Sequence, residues 1–404
     1  MEQQKFTKPF YIFFLMMPVG ISQGFVSVAL PCLLTKNGFP VALTASIVAI
    51  GLSASLWRFL WGPVVDISLS LRKWFWIGIV SSIATLLLVC SIRFRIEGAA
   101  FLSLIVFISQ VAATIILLPI NGIIAKTVRE NKKGEASGWY QAGSLASVGF
   151  GGGAGLWLAT HFSLAVSGMA LCIASILFAL VNLLIKDIPH LKENTILQEI
   201  KIMGKDIFAL IKIPAALFVI FLVMTPVSSG AMANLRSAVA KDWETGVNTV
   251  VLITGLLSGG VSALGCIAGG LIADKWGVWF AYLGSGLICA IVTALMAVMP
   301  YEPVVYITGV LAYAFSMGLG YAAFSATIFF VIGKRNVATK YSLVASLGNL
   351  PVVYMTSFDG WMHDKFNSRY MLYGEAMAGV LFVVIFYLIL KRLGNKNLIP
   401  LTVE

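Results

Sequence analysis

The chain has 404 residues, 59% of them hydrophobic and only 11% charged, with a mean hydropathy of +0.94. That composition excludes an ordinary soluble domain and describes a polytopic membrane protein. The net charge of +11 would suit a nucleic-acid binder, but the placement of the basic residues along the chain reads as membrane topology instead.

Apolar runs of about 20 residues or more, each able to cross a roughly 30 Å hydrocarbon core as a helix, recur from Phe10 to the basic stop at Lys391 and Arg392. The spacing predicts about twelve transmembrane helices. Their centres fall near Ser22, Ala54, Ser82, Gln110, Ala146, Ala174, Pro226, Gly260, Ala290, Met317, Leu350 and Leu381. The first run, Phe10–Leu34, is longer than a signal-peptide core and lacks a small-residue cleavage site, so it is expected to be retained as a span. The second ends in "WRFLWGPVVD", Trp57–Asp66, which sets Arg58 and Asp66 where a lipid-soluble helix needs neither. Read as one continuous helix, this stretch places Arg58 about 12 Å deeper than Asp66 and roughly 80° around the axis, so the two do not pair. The fifth run contains "GFGGGAG", Gly149–Gly155. No Lys-Ser/Thr follows it and no strand precedes it, so it predicts close helix packing or a bend rather than a phosphate loop.

One long polar interruption, Lys186–Lys212, divides the runs into two sets of about six. The expected organisation is an N-terminal six-helix bundle over 1–185, a linker over 186–212, and a C-terminal six-helix bundle over 213–404 with a short tail. Within the linker Ile196, Leu197, Ile200, Met203, Ile207, Phe208 and Ile211 recur at helical spacing, opposite Glu199, Lys201, Lys205, Asp206 and Lys212. This predicts an amphipathic helix on the cytoplasmic surface, tethering the halves. In a twelve-span arrangement Lys5, Lys8, Arg72, Lys73, Lys126, Arg129, Lys132, Lys133, Lys186, Lys192, Lys201, Lys205, Lys212, Lys275, Lys334, Arg335, Lys340, Lys391, Arg392 and Lys396 lie on one side, while only Lys36, Arg93, Arg95, Arg236, Lys241, Lys365 and Arg369 lie on the other. The richer side is cytoplasmic by the positive-inside rule and holds both termini.

Cys32, Cys90, Cys172, Cys266 and Cys289 lie in or beside apolar spans without paired spacing, and His161, His190 and His363 share no ligand spacing, so no metal or cofactor is expected. No soluble segment carries a nucleophile motif or paired carboxylates, which argues against an enzyme.

The halves repeat one another weakly. "WGPVVDISLSLRKW" closes the second span and "AGGLIADKWGVWF" the eighth, each setting a glycine before an aspartate, Asp66 or Asp274, and a basic residue after it. "AKTVRENKKGEASGWY" and "VIGKRNVATKYS" form a second such pair after the fourth and tenth spans. In this arrangement the chain resembles the major facilitator superfamily over nearly its whole length. The resemblance implies an all-α fold of two pseudo-symmetric six-helix bundles and transport by alternating access. It also implies that Asp66 meets the start of the eleventh span near Lys340, and Asp274 the start of the fifth near Glu135 and Ala136, as gating contacts with Arg72 and Lys275 beside them. The stretch from Arg58 to Asp66, with "KGEASGWYQAGSLASVGFGGGAGLWLA", Lys133–Ala159, resembles the branch containing muropeptide permeases, acetyl-coenzyme A transporters and some siderophore permeases. The chain departs from that branch in ending after twelve spans, in lacking long loops, and in having Asn121 where relatives often carry an acid.

These resemblances imply a small-molecule substrate in a central cavity of a monomeric permease in the bacterial inner membrane. Arg58 is either the ligand for an anionic group on that substrate, through guanidinium's paired hydrogen bonds, or a snorkelling or carbonyl-held structural residue. Gln23, Gln110, Asn121, Tyr140, Gln141, Ser228, Ser229, Asn234, Tyr313, Tyr321, Asn349 and Tyr354 are the polar side chains available to such a cavity, each equally able to satisfy a neighbouring helix. Glu375 is the most deeply placed carboxylate; it either carries a coupling proton or pairs with an outer-side base such as Arg369. A nontransporting receptor or scaffold on the same fold is the competing class.

Overall fold

A computed structural model describes residues 6–185, 187, 196–246, 249–250 and 252–397; the linker residues 186 and 188–195 lie outside them. Among the described residues there is no strand. The helices are α1 (Tyr11–Lys36), α2 (Val41–Trp57), α3 (Gly62–Ile67), α4 (Leu71–Ser91), α5 (Ala99–Thr127), α6 (Lys133–His161), α7 (Leu164–Ala179) and α8 (Ile196–Lys212). The second half continues with α9 (Pro214–Val223), α10 (Met232–Val239), α11 (Ser258–Trp276), α12 (Val278–Val298), α13 (Pro303–Ile332), α14 (Val337–Leu347), α15 (Asn349–Lys365) and α16 (Ser368–Asn397).

The chain is an all-α polytopic membrane protein with twelve spans. Among the described residues eight helices are long and apolar enough to cross a bilayer by themselves. The other four spans depart from a simple apolar rod for visible reasons. α2 is short, and α6 is rich in glycine. The seventh span is split into α9 and α10 around Pro226, and the eleventh into α14 and α15 at Gly348. Large apolar side chains such as Val80, Leu264 and Met377 are left uncovered, as lipid-facing positions require.

Local sequence explains the breaks. α1 runs through a π-helical turn at Phe25–Ala29, just ahead of Pro31, where the extra residue relieves the clash and the missing donor that proline brings to a helix. The continuous helix expected across Trp57–Asp66 is not what forms. α2 ends at Trp57, a 3₁₀ turn covers Arg58–Leu60, and α3 starts afresh at Gly62 with Pro63 in its first turn. Pro63 has no N–H and opposes a helical carbonyl four residues back, so the depth and angular offset calculated for Arg58 and Asp66 on one rod do not apply.

The backbone divides into two compact units. The first comprises Met1–Arg129, Gly143–Gly204 and Asn336–Ser342; the second comprises Glu130–Ala142, Lys205–Arg335 and Leu343–Glu404. Thus the first turns of α14 cluster with the first unit and the first turns of α6 with the second. In the first unit the glycine run serves close approach. A Cβ on Gly151 would lie 2.2 Å from Ile21 O, so α6 and α1 meet backbone to backbone. In the second unit a Cβ on Gly318 would lie 2.1 Å from Ser262 O, which is the same device between α13 and α11.

The amphipathic linker helix forms as α8 and turns by 82° into α9 at Pro214. Its apolar face divides. Met203 and Leu210 are buried, whereas Ile200, Phe208 and Ile211 are exposed, with Lys212 Nζ 4.8 Å from the Phe208 ring centroid. That combination of uncovered apolar side chains and lysines suits a helix lying in a membrane interface.

Candidate functional site: two carboxylate cradles and a buried polar cluster

In the first unit Asp66, on α3, faces the start of α14. Its Oδ1 accepts the Ala338 N–H at 3.2 Å, and its Oδ2 accepts the Thr339 N–H at 2.9 Å and the Thr339 hydroxyl at 2.8 Å. The first N–H groups of a helix have no intrahelical acceptor and sit at the positive end of its dipole, so an anion is favoured there. Lys126, at the end of α5, adds a positive charge to the carboxylate's surroundings. Gly62 lets α3 approach: a Cβ there would lie 2.9 Å from Thr339 Cα. The contact therefore falls one to two residues before Lys340.

The second unit repeats the arrangement. Asp274 Oδ1 accepts the Gly134 N–H at 2.6 Å and Oδ2 the Glu135 N–H at 2.7 Å, at the first turn of α6. Lys132 binds Glu135 at 2.7 Å and also feels Asp274. The hydrogen bond to Glu135 raises the Lys132 ammonium above the ordinary lysine range, with the charges of Glu135 and Asp274 acting in the same sense. The cation beside this carboxylate therefore stays charged at any physiological pH. Glu130 joins Lys133 at 2.8 Å and Lys334 at 3.4 Å in the same unit.

The basic residues expected beside these aspartates lie elsewhere. Arg72 donates from Nη2 to Ile185 O, at the end of the sixth span, while Trp74 Nε1 donates to Ser68 Oγ at 3.0 Å. Lys275 is exposed, with its ammonium 5.5 Å from the Trp276 ring centroid. Lys126 and Lys132, each from the fourth-span end of the chain, are the lysines that face the two cradles. Sequence spacing did not single them out because each comes from a segment distant in sequence from its aspartate.

Further into the second unit the broken seventh span and the last two spans gather the other polar residues. Between α9 and α10, Ser228 and Gly230 take left-handed backbone, at φ 55° and 75°, so carbonyls and N–H groups there leave the helical ladder. Ser229 Oγ accepts the Ala231 N–H at 3.3 Å, and the buried Ser228 hydroxyl has no protein partner. Tyr354 donates its hydroxyl to Met224 O at 3.0 Å, and Asn234 Nδ2 donates to Thr356 Oγ1 at 2.9 Å. Arg236 donates from Nη2 to Thr254 O at 2.9 Å and stands beside Tyr306, Tyr313 and Tyr321. Tyr313, fully buried on α13, donates its hydroxyl to Glu375 Oε1 at 2.7 Å. Arg369 lies over the Tyr301 ring at 5.1 Å, so the last-span carboxylate pairs with a tyrosine and Arg369 with an aromatic face.

One member of this group has no counterpart among the residues picked out by sequence. Asp359, on α15, is 0% exposed, neither of its oxygens has a hydrogen-bond partner, and its charge interacts with that of Glu375. It stands in an Asp-Gly pair, which in a sequence ordinarily marks a turn; here it lies within a helix.

The remaining expected cavity residues are dispersed. Gln110 donates to Ser22 Oγ at 3.3 Å inside the first unit. Asn121 is fully buried and its amide has no partner. Gln23 is half-buried, and Asn349 is exposed at the first turn of α15. Gln141 Nε2 donates to Ser325 Oγ at 2.6 Å, and Tyr140 is buried beside it in sequence. Arg58 is half-buried in its 3₁₀ turn, and its Nε has no acceptor. Among the described residues no three His, Cys, Asp or Glu side chains form a metal-binding group.

The chain belongs to the Major Facilitator Superfamily, whose family profile matches residues 12–356. Among the solved structures that share its fold are three transporters. A bacterial homologue of the iron transporter ferroportin, in an outward-facing state, superposes with a TM-score of 0.67 at 15% identity over 94% of this chain and 98% of that one. The human organic anion transporter MFSD10 (TETRAN) gives a TM-score of 0.67 at 13% identity, over 94% and 98%. The proton:xylose symporter XylE bound to 6-bromo-6-deoxy-D-glucose gives 0.66 at 11% identity, over 94% and 95%. No curated protein matches the chain in sequence.

Proposed function

We propose that the protein is a secondary transporter that moves an organic, anionic solute across a bacterial inner membrane by alternating access, with a muropeptide or cell-wall sugar as first choice. The observation that carries the transport reading is the duplicated cradle. Two carboxylates in corresponding places of the halves each hold the open N-terminus of a distant helix, which is a contact strong enough to hold a state and local enough to be released. In this reading Asp66 and Asp274 latch the cytoplasmic side, the six-helix bundles 1–185 and 213–404 rock about the linker 186–212, and both termini are cytoplasmic as the basic residues require. Glu375 carries the coupling proton. Arg58 receives the anionic group, since its Nε is buried without an acceptor from the protein and an anion would satisfy it.

Uptake of radiolabelled anhydro-muropeptide into proteoliposomes, with simple amino sugars and carboxylate siderophores in parallel, tests this function. Saturable uptake of the muropeptide supports the first choice, and uptake of a siderophore alone moves the assignment to that class. A reconstituted, folded protein that moves none of them, and exchanges none, points to a nontransporting receptor.

A further inference from the structure

In the first unit α4 leads away from the Asp66 cradle for 21 residues, about 30 Å along the helix axis, and stops at Ser91. From there the chain runs with extended backbone at Ile92 and Arg95 into a 3₁₀ turn at Ile96–Gly98, and then into α5. In extended chain successive side chains point to opposite faces. Ile92 and Phe94 accordingly pack on the buried apolar cluster of the unit, while Arg93 and Arg95 share the other face and are exposed. The two arginines stand at the end of the spans that holds few basic residues, so topology does not account for them.

The segment borders a cavity of about 360 Å³, lined by Arg93, Arg95 and Glu97 together with Phe94, Phe101 and Leu102. Neither arginine has a hydrogen bond or ion pair among the described residues, and Glu97 pairs with neither. Two guanidiniums and one carboxylate leave the lining with a net positive charge of one. The lipid-facing stripe of α5 begins at the same place. Phe101, Leu104 and Ile108 are exposed and Val111 and Ile115 half-buried, at the spacing that keeps them on one face of the helix. That stripe runs about 21 Å, against about 15 Å for half of a bilayer's hydrocarbon core. A soluble anion would meet only the charges, whereas a phospholipid meets the charges with its headgroup and the stripe with its tail.

We propose that this cavity holds the headgroup of a phospholipid of one net negative charge, of the phosphatidylglycerol type, drawn from the leaflet at this end of the spans. Arg93 and Arg95 donate to the phosphodiester, whose oxygens match the planar donors of guanidinium. Glu97 accepts from the headgroup hydroxyls, and an acyl chain lies along Phe101, Leu104 and Ile108. Charge selects among lipids: a headgroup of charge minus one neutralises the lining, whereas a zwitterionic headgroup brings a cation towards two arginines and leaves the net charge as it was. The site is independent of the solute and of whether the protein transports one.

Native mass spectrometry of the full chain, released from detergent micelles with dioleoyl-phosphatidylglycerol added stepwise, counts the lipids bound. Basic residues at the other membrane face attract this lipid too, so the reading is the difference between the parent and Arg93→Gln combined with Arg95→Gln. Each basic residue at a membrane surface favours an anionic headgroup by roughly fivefold. The double variant should therefore hold one phosphatidylglycerol fewer than the parent at low concentration, and recover it only at about tenfold higher concentration or more. It should elute and melt like the parent, because the two arginines have no hydrogen bond or ion pair to lose. With dioleoyl-phosphatidylethanolamine or dioleoyl-phosphatidylcholine the difference between parent and variant should vanish. Equal phosphatidylglycerol counts in the two proteins overturn the proposal, and so does an equal difference with either zwitterionic lipid. If inorganic phosphate in excess abolishes the difference, the cavity is a site for a soluble anion and the lipid assignment fails.

Discussion

Asp66 receives two hydrogen bonds from Thr339 on a single oxygen, one from the backbone N–H at 2.9 Å and one from the hydroxyl at 2.8 Å. Side chain and helix terminus thus act on the same carboxylate, and the two contributions can be separated. Asp66→Asn keeps the shape and removes the charge, forfeiting about 1–2 kcal/mol of charge-assisted bonding and dipole interaction. That is enough to shift a two-state population about tenfold. Thr339→Val leaves the N–H in place and should shift it less. Accessibility of single cysteines introduced on the side of the membrane where the cradles lie is the measurement, and equal labelling of parent and Asp66→Asn would remove the latch role.

The partner cradle allows a steric version of the same test. A Cβ on Gly134 would lie 2.5 Å from Gly270 O and 2.6 Å from Asp274 Oδ1; the first is a backbone atom of a packed helix, and the second is the oxygen that the Gly134 N–H itself holds. Gly134→Ala should therefore push the first turn of α6 off the carboxylate and reproduce the labelling pattern of Asp274→Asn, although no charge has changed. If Gly134→Ala labels like the parent while Asp274→Asn does not, the glycine is not what allows the approach.

The sequence made the apolar framework readable because a bilayer imposes one length and one polarity on every span. The cradle aspartates were readable because they recur in matching places of the two halves. Arg58 was harder: its helix was expected to be continuous, and Pro63 reset the geometry. Lys126, Lys132 and Asp359 were not legible, because what distinguishes them is the company they keep across long stretches of chain. Asp359 in particular combines a turn-like neighbour, Gly360, with complete burial, and burial is not written locally. Leu210, absent from the linker's expected apolar set, is buried together with Met203 among the described residues of α8.

Glu375 should reveal its role in the difference between accumulation and exchange. A carboxamide at this position can still accept from Tyr313 but cannot alternate in charge. Glu375→Gln should consequently abolish accumulation of solute against a gradient and leave counterflow of labelled for unlabelled solute within about twofold of the parent. Proteoliposomes with and without an imposed pH gradient provide the comparison. Parent uptake that ignores the gradient would make the protein a facilitator.

Arg58 carries the substrate argument, and its chemistry sets the expected size of the effect. The residue is half-buried, follows the last turn of α2, and has its Nε buried without an acceptor in the protein. A bound carboxylate or phosphate would take that hydrogen together with a neighbouring one in the planar two-point arrangement that lysine lacks. Arg58→Lys should weaken binding of an anionic solute about tenfold or more, near 1.4 kcal/mol, and Arg58→Ala should weaken it further. Both variants should elute and melt close to the parent, because no hydrogen bond from Arg58 Nε to the protein is lost. Calorimetry against anhydro-muropeptide, an uncharged amino sugar derivative and a carboxylate siderophore separates charge from size. If the solute that binds the parent binds both variants equally well, Arg58 is a structural residue of the 3₁₀ turn and the case for an anionic substrate fails with it.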